Sequence, residues 1–160
     1  MESVYLETTF ISYLVALPAR DLVVAAHQQL TRDWWQLRRQ DFRCVVSPVV
    51  VREISAGDRS EIEKRLDVDR DLDRVEITAD SEALTEAIMK TGVLPSKAIW
   101  DAAHIAAAAV HEVDYLLTWN CKHLANAQIS RRIQKVCGLH GFEMPLICTP
   151  AELLEETGNA

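Results

Sequence analysis

Apolar residues in this chain fall into two patterns: short clustered runs and longer stretches at helical spacing. Val4-Tyr5-Leu6 is a run suited to a strand, and Thr8 or Thr9 stands where it can cap a short helical run from Phe10 to Leu14. Pro18 interrupts. From Asp21 to about Arg39, Leu22, Val23, Ala26, Leu30, Trp34 and Leu37 recur at helical spacing, which predicts a helix with Trp34 toward the core. Phe42 to Ser47 is a second strand candidate. Ser47-Pro48 pairs a cap with proline at the first helical position, and the predicted helix carries Val49, Val50, Glu53 and Ile54 to Gly57.

Arg59 to Asp73 is highly charged and predicts a solvated helix. Val75-Glu76-Ile77 predicts a strand, and Asp80 or Ser81 a cap for a helix ending at Lys90 and Gly92. After Leu94-Pro95-Ser96, the stretch from Lys97 to about His111 is nearly all alanine and isoleucine. Asp114 to Thr118 predicts a strand, Asn120 to Leu124 a turn or short helix, and Ile129 to Leu139 a helix. Pro145 to Cys148 predicts a last strand, and Thr149-Pro150 the start of a terminal helix.

Strands alternate with helices, and the connections are too long for hairpins. That order argues for an α/β fold: a parallel sheet of about four or five strands with helices on both faces. The length of 160 residues suits one domain, expected over 1–155 with a frayed tail at 156–160. Cys44, Cys121, Cys137 and Cys148 form no metal-binding spacing and read as reduced thiols. No basic-then-apolar leader opens the chain and no apolar run reaches membrane-spanning length, so a cytoplasmic protein with no membrane partner is expected. The net charge of −7 argues against gripping nucleic acid by bulk electrostatics. A phosphate-bearing partner would have to meet a local basic patch or a bound metal.

Candidate chemistry begins with Asp101, in Ala98-Ile99-Trp100-Asp101-Ala102-Ala103-His104-Ile105-Ala106. A helix with almost no polar face is a buried helix, and a lone buried carboxylate must be paired, neutralised or bound to metal. A salt bridge or a cap explains it equally well. Glu7 follows an apolar strand, at the end where parallel sheets bind ligands. Glu53 sits inside its helix, where a solvated glutamate is the commoner reading. Asn120 ends Leu116-Leu117-Thr118-Trp119-Asn120, at the same sheet edge, and also reads as a helix cap. Three carboxylates at one place repel, and hard oxygen ligands of this kind suit Mg²⁺ or Mn²⁺. Such a metal would activate water and stabilise a phosphoryl transition state.

These segments resemble the motifs of PIN domains. Val4-Tyr5-Leu6-Glu7-Thr8-Thr9-Phe10-Ile11 resembles the opening motif, and Val50-Val51-Arg52-Glu53-Ile54 the second. Asp101-Ala102-Ala103-His104-Ile105-Ala106-Ala107-Ala108 resembles the third, and Tyr115-Leu116-Leu117-Thr118-Trp119-Asn120 the fourth. Nearly the whole chain is spanned, in order, and the likeness is greatest to the VapC-like toxin subunits of toxin–antitoxin pairs. It implies a Rossmann-like parallel sheet and a Mg²⁺- or Mn²⁺-dependent ribonuclease acting on RNA. It also implies inhibition by a cognate antitoxin and a homodimer. Carried over, Glu7 and Asp101 would be the principal metal ligands, Glu53 a metal ligand or a water-orienting base, and Asn120 an outer-shell catalytic helper. PIN domains usually carry Asp at the first position, where this chain has Glu7. The fourth often carries Asp, where this chain has Asn120. Those departures leave a second reading, a catalytically weakened PIN-fold RNA-binding or regulatory module.

Around the acids, Thr8 and Thr118 flank proposed ligands and are placed to position water. His104, three residues after Asp101, shares its helix face and is either a satisfied core histidine or a water-orienting group. His123 and Asn126 read as loop packing. Trp35 then points elsewhere, toward a dimer or partner surface if it is exposed, and the basic and aromatic run from Arg32 to Arg39 also suits stacking on single-stranded RNA, the less favoured reading.

Overall fold

The computed structural model describes residues 1–155, and the expected tail at 156–160 lies outside them. Five strands carry the sheet: β1 (Ser3–Leu6), β2 (Arg43–Val46), β3 (Asp73–Arg74), β4 (Tyr115–Leu117) and β5 (Leu146–Cys148). Between them run α1 (Thr8–Val15), α2 (Leu22–Leu37), α3 (Pro48–Ile54), α4 (Arg59–Asp69), α5 (Ala79–Lys90), α6 (Ile99–Val110) and α7 (Ala127–Leu139). All strand pairs are parallel, in the order β3-β2-β1-β4-β5. The expected α/β parallel sheet is the one observed.

That order dictates the layers. The chain steps outward from β1 to β2 to β3, then crosses back to β4 and continues to β5. Right-handed crossovers in opposite directions put their helices on opposite faces of the sheet. The helix contacts agree: α1 packs against α2, α3 and α4, while α5 packs against α6 and α7. The direction reverses between β1 and β4, paired at Tyr5↔Leu116 and Leu6↔Leu117. A crevice at the carboxyl ends of two such strands is where open α/β sheets bind ligands.

Local chemistry starts the elements that border this crevice. Glu7, rather than Thr8 or Thr9, caps α1, its side chain accepting from the Thr9 N–H. Ser47 caps α3 by accepting from the Val49 N–H, with Pro48 at the first helical position. Both helices therefore leave the carboxyl edge of the sheet at a defined angle. α6 runs back toward the strand starts, so its first turn, with Asp101, lies at the same edge. Its alanines are buried at Ala102 and from Ala106 to Ala109, small enough for the helix to lie close against its neighbours. Trp34 is fully buried in the core and its indole N–H donates to the Leu153 carbonyl.

The boundaries differ from expectation at the periphery. The third strand is Asp73–Arg74, not Val75–Ile77, because the ladder to β2 needs only that short register plus the Val75 N–H to Val46 carbonyl bond. Thr78, not Asp80 or Ser81, caps α5, in a reciprocal capping box with Ser81. The expected terminal helix is a single 3₁₀ turn at Pro150–Leu153. All four cysteines are free thiols, and no described helix is long and apolar enough to cross a membrane.

Ala106 tests the close approach of α6, since its side chain is fully buried. Ala106→Leu is expected to cost about 1–3 kcal/mol by overpacking. Urea unfolding measures this, and an unchanged midpoint contradicts the packing described.

Candidate metal centre

Three ionisable groups meet at the crevice. One ligand atom each from Glu7, Glu53 and His104 lies within 4.8 Å of the others. Glu7 enters from the end of β1, Glu53 from the second turn of α3, and His104 from α6 one turn past Asp101. Glu7 is only 3% exposed, whereas the Glu53 side chain is 33% exposed and forms the open side of the site.

Each carboxylate is held by one oxygen. Glu7 Oε2 accepts from the Thr9 N–H at 3.0 Å, the Thr9 hydroxyl at 2.5 Å and the Thr118 hydroxyl at 2.8 Å. Its Oε1 lies 3.9 Å from His104 Nε2. Glu53 Oε1 accepts from the Thr8 hydroxyl at 2.7 Å and meets His104 Nε2 at 2.5 Å. Backbone amides lock these hydroxyls in turn: Trp119 N–H donates to Thr9 Oγ1, and Asn120 N–H to Thr118 Oγ1, both at 2.9 Å. The loop after β4 thus holds the residues that hold Glu7.

Asp101 takes a different position from the one its sequence setting suggests. It is half-buried in the first turn of α6, and its carboxylate is partnered. Asn120 Nδ2 donates to Oδ1 at 3.2 Å, and His123 Nδ1 meets Oδ2 at 3.0 Å. The Asn120 carboxamide oxygen accepts the His123 N–H at 3.1 Å. The fully buried ionisable group on α6 is His104. Asp101 lies outside the 4.8 Å group, but its charge acts on His104.

Of the residues singled out in the sequence, Glu7 and Glu53 come together with His104, Thr8 and Thr118. Asp101 and Asn120 pair beside them. Tyr5, Thr9, Ser47 and His123 join this constellation without a sequence motif that singles them out. A tyrosine inside a buried strand carries a hydroxyl that needs a partner, and that signal points to Tyr5. Nothing in the sequence alone points to His123 over its loop neighbours.

Electrostatics follow from burial. Loss of water pushes the Glu7 carboxyl above its ordinary range, and the His104 charge and the Thr9 and Thr118 bonds offset this only in part. Burial works to raise Glu53 as well, but the bond to His104, its charge, Thr8 and Arg52 outweigh it and hold Glu53 below its ordinary value. Burial alone would lower His104; the bond to Glu53 and the charges of Glu7, Glu53 and Asp101 outweigh it and raise it. Two carboxylates, with an imidazole beside them, make a site that fits a divalent cation. Glu7 Oε1 and the second oxygen of Glu53 would hold it, since the protein's donors gather on the opposite oxygens.

These shifts give the metal-free protein a definite pH profile. A raised His104 stabilises the fold below the ordinary imidazole value, and that contribution is lost as pH rises through its higher folded value. The raised Glu7 has the same sign, with its contribution lost as pH rises above the ordinary carboxylate range. The lowered Glu53 has the opposite sign and loses its contribution only in acid, as pH falls through its folded value. The metal-free protein is therefore expected to melt higher at about pH 6 than at about pH 8.5. Glu7→Gln is expected to raise Tm at the higher pH and flatten the slope. Scanning calorimetry in chelator measures both, and a rising profile contradicts the assignment.

No family model and no curated protein matches the chain. Solved structures do. The chain is similar to a chain of the crystal structure of VapBC2 from Rickettsia felis bound to a DNA fragment from their promoter. The TM-score is 0.60 at 13% identity, covering 91% of this chain and 97% of that one. It is also similar to Mycobacterium tuberculosis VapC20, described as a sarcin–ricin loop cleaving toxin. There the TM-score is 0.50 at 18% identity, covering 71% of this chain and 87% of that one. The four motifs and the shape of nearly the whole molecule thus point the same way: this chain has a VapC-like PIN fold.

Proposed function

We propose that this chain is a Mg²⁺- or Mn²⁺-dependent endoribonuclease and the toxin of a toxin–antitoxin pair. One observation carries the reading: the buried Glu7 meets Glu53 at the carboxyl end of the central strands, each with one oxygen left for a cation. Such a cluster has little use in a purely structural core, where uncompensated buried charge is costly. When bound, a divalent cation supplies positive charge for a phosphoryl transition state and activates water.

The chain's own residues divide the remaining work. Glu7 and Glu53 hold the cation, with Asp101 as the third acid of the set at the start of α6. Thr9 and Thr118 fix Glu7, and Thr8 fixes Glu53. Asn120 and His123 orient Asp101 and act as outer-shell helpers. Arg52, next to Glu53, lies with its guanidinium 4.2 Å from the Trp100 ring centre, and brings a local cation to the edge of an otherwise acidic site. The fold likeness to a chain of a VapBC complex supports a protein antitoxin as partner. A homodimer and a cytoplasmic setting belong to the same reading.

A second reading keeps the fold and drops the turnover: a PIN-fold RNA-binding or regulatory module with weakened catalysis. One feature favours it. Asn120 adds no charge, and its side chain is engaged by Asp101 and the His123 N–H.

Purified protein with Mn²⁺ and a panel of RNA, DNA and small phosphoesters separates these. RNA cleavage is expected, lowered about 100-fold or more by Glu7→Gln and by Asp101→Asn. Equal cleavage by wild type and Asp101→Asn contradicts the catalytic assignment, and RNA binding without cleavage favours the module.

A further inference from the structure

Behind Glu53 stands a buried chain of hydrogen bonds that the proposed reaction does not by itself require. His104 Nδ1 lies 2.7 Å from the Tyr5 hydroxyl, and that hydroxyl lies 2.6 Å from Ser47 Oγ. Tyr5, Ser47 and His104 are all fully buried. Ser47 also caps α3, accepting the Val49 N–H at 3.2 Å, and α3 is the helix that carries Glu53. The network therefore closes on itself: from the α3 cap through Tyr5 of β1 to His104 of α6, and back to α3 at Glu53.

The direction of the protons follows from counting acceptors. With the ring neutral, if Ser47 donates to Tyr5 and Tyr5 donates to Nδ1, His104 keeps its proton on Nε2; a charged ring carries the Nε2–H as well. That N–H then points at Glu53 Oε1, and every hydroxyl proton has an acceptor. The reverse order gives Ser47 Oγ two donors, Tyr5 and the Val49 N–H. The fully buried Ser47 proton is then left seeking another acceptor, which is costly. A metal-ligating Nε2 would require that reverse order.

We propose that His104 is a positioning residue that donates its Nε2–H to Glu53 Oε1, leaving the other Glu53 oxygen to the cation, and that it is not a ligand. The inference rests on reading the Glu7–Glu53 cluster as a divalent-metal centre. It gives the two glutamates one design: Thr9 and Thr118 load Glu7 Oε2, Thr8 and His104 load Glu53 Oε1, and the free oxygens serve the metal. A nitrogen ligand would favour late transition metals, whereas an all-oxygen shell suits Mg²⁺ and Mn²⁺.

Long-range ¹H–¹⁵N spectra of histidine-labelled protein, with and without Mg²⁺, read the proton directly. Nε2 is expected to stay protonated in the Mg²⁺-loaded protein. Titration calorimetry with Mn²⁺ is expected to show His104→Leu binding about tenfold or more weakly than wild type, and His104→Gln, which keeps an N–H donor, recovering part of that loss. Loss of the Nε2 proton on loading overturns the proposal while the metal centre stands, as does His104→Leu binding like wild type. Wild type that binds no Mn²⁺ overturns the metal centre itself, and this proposal with it. If His104→Leu does not fold, the wild-type spectrum decides.

Discussion

Glu7 puts a carboxylate almost wholly out of water at the end of the central strand, and its surroundings are organised by that charge. The side chain caps α1, so the helix start and the site share one residue. Three donors, from Thr9 and Thr118, gather on a single oxygen. Those threonines are in turn fixed by the amides of Trp119 and Asn120. The loop after β4 is ordered around the end of β1 because a buried anion needs its donors within hydrogen-bond reach.

Donors alone do not cancel the charge. His104 supplies part of the compensation, since its buried ring sits between Glu7 and Glu53 with Nε2 directed at Glu53 Oε1. A bound cation would supply the rest. A site that holds unneutralised acids in its empty state trades stability for function, as strained or charged active sites commonly do. The alanine-rich α6 makes this arrangement reachable. Its small side chains let the helix lie close against α5, and His104 on the same helix reaches the Tyr5 hydroxyl and Glu53 together.

Much of this was legible in the sequence, for physical reasons. Strand runs such as Val4 to Leu6 and the Ser47-Pro48 helix start are local signals, and their order alone implies a parallel sheet with its ligand edge after β1 and β4. Glu7 was noticeable because a carboxylate directly after an apolar strand is unusual. The third strand is not legible, because a two-residue strand has no period to detect. Asp101 reads as a lone buried charge in the sequence, yet Asn120 and His123 come to it from 19 and 22 residues away. His104 was harder to weigh, since a histidine on an apolar helix is usually a satisfied core residue. It is satisfied here, but by Tyr5 on one nitrogen and Glu53 on the other, from residues 99 and 51 positions away. Contacts at that separation leave no pattern in a single sequence.

The central claim is that Glu7 and Glu53 share a divalent cation. A crystal soaked in Mn²⁺ and measured at an anomalous wavelength tests it most directly. A peak is expected between Glu7 Oε1 and the second oxygen of Glu53, within about 2.0–2.6 Å of each. No peak there at millimolar Mn²⁺, or an ion held only by exposed carboxylates elsewhere, would contradict it.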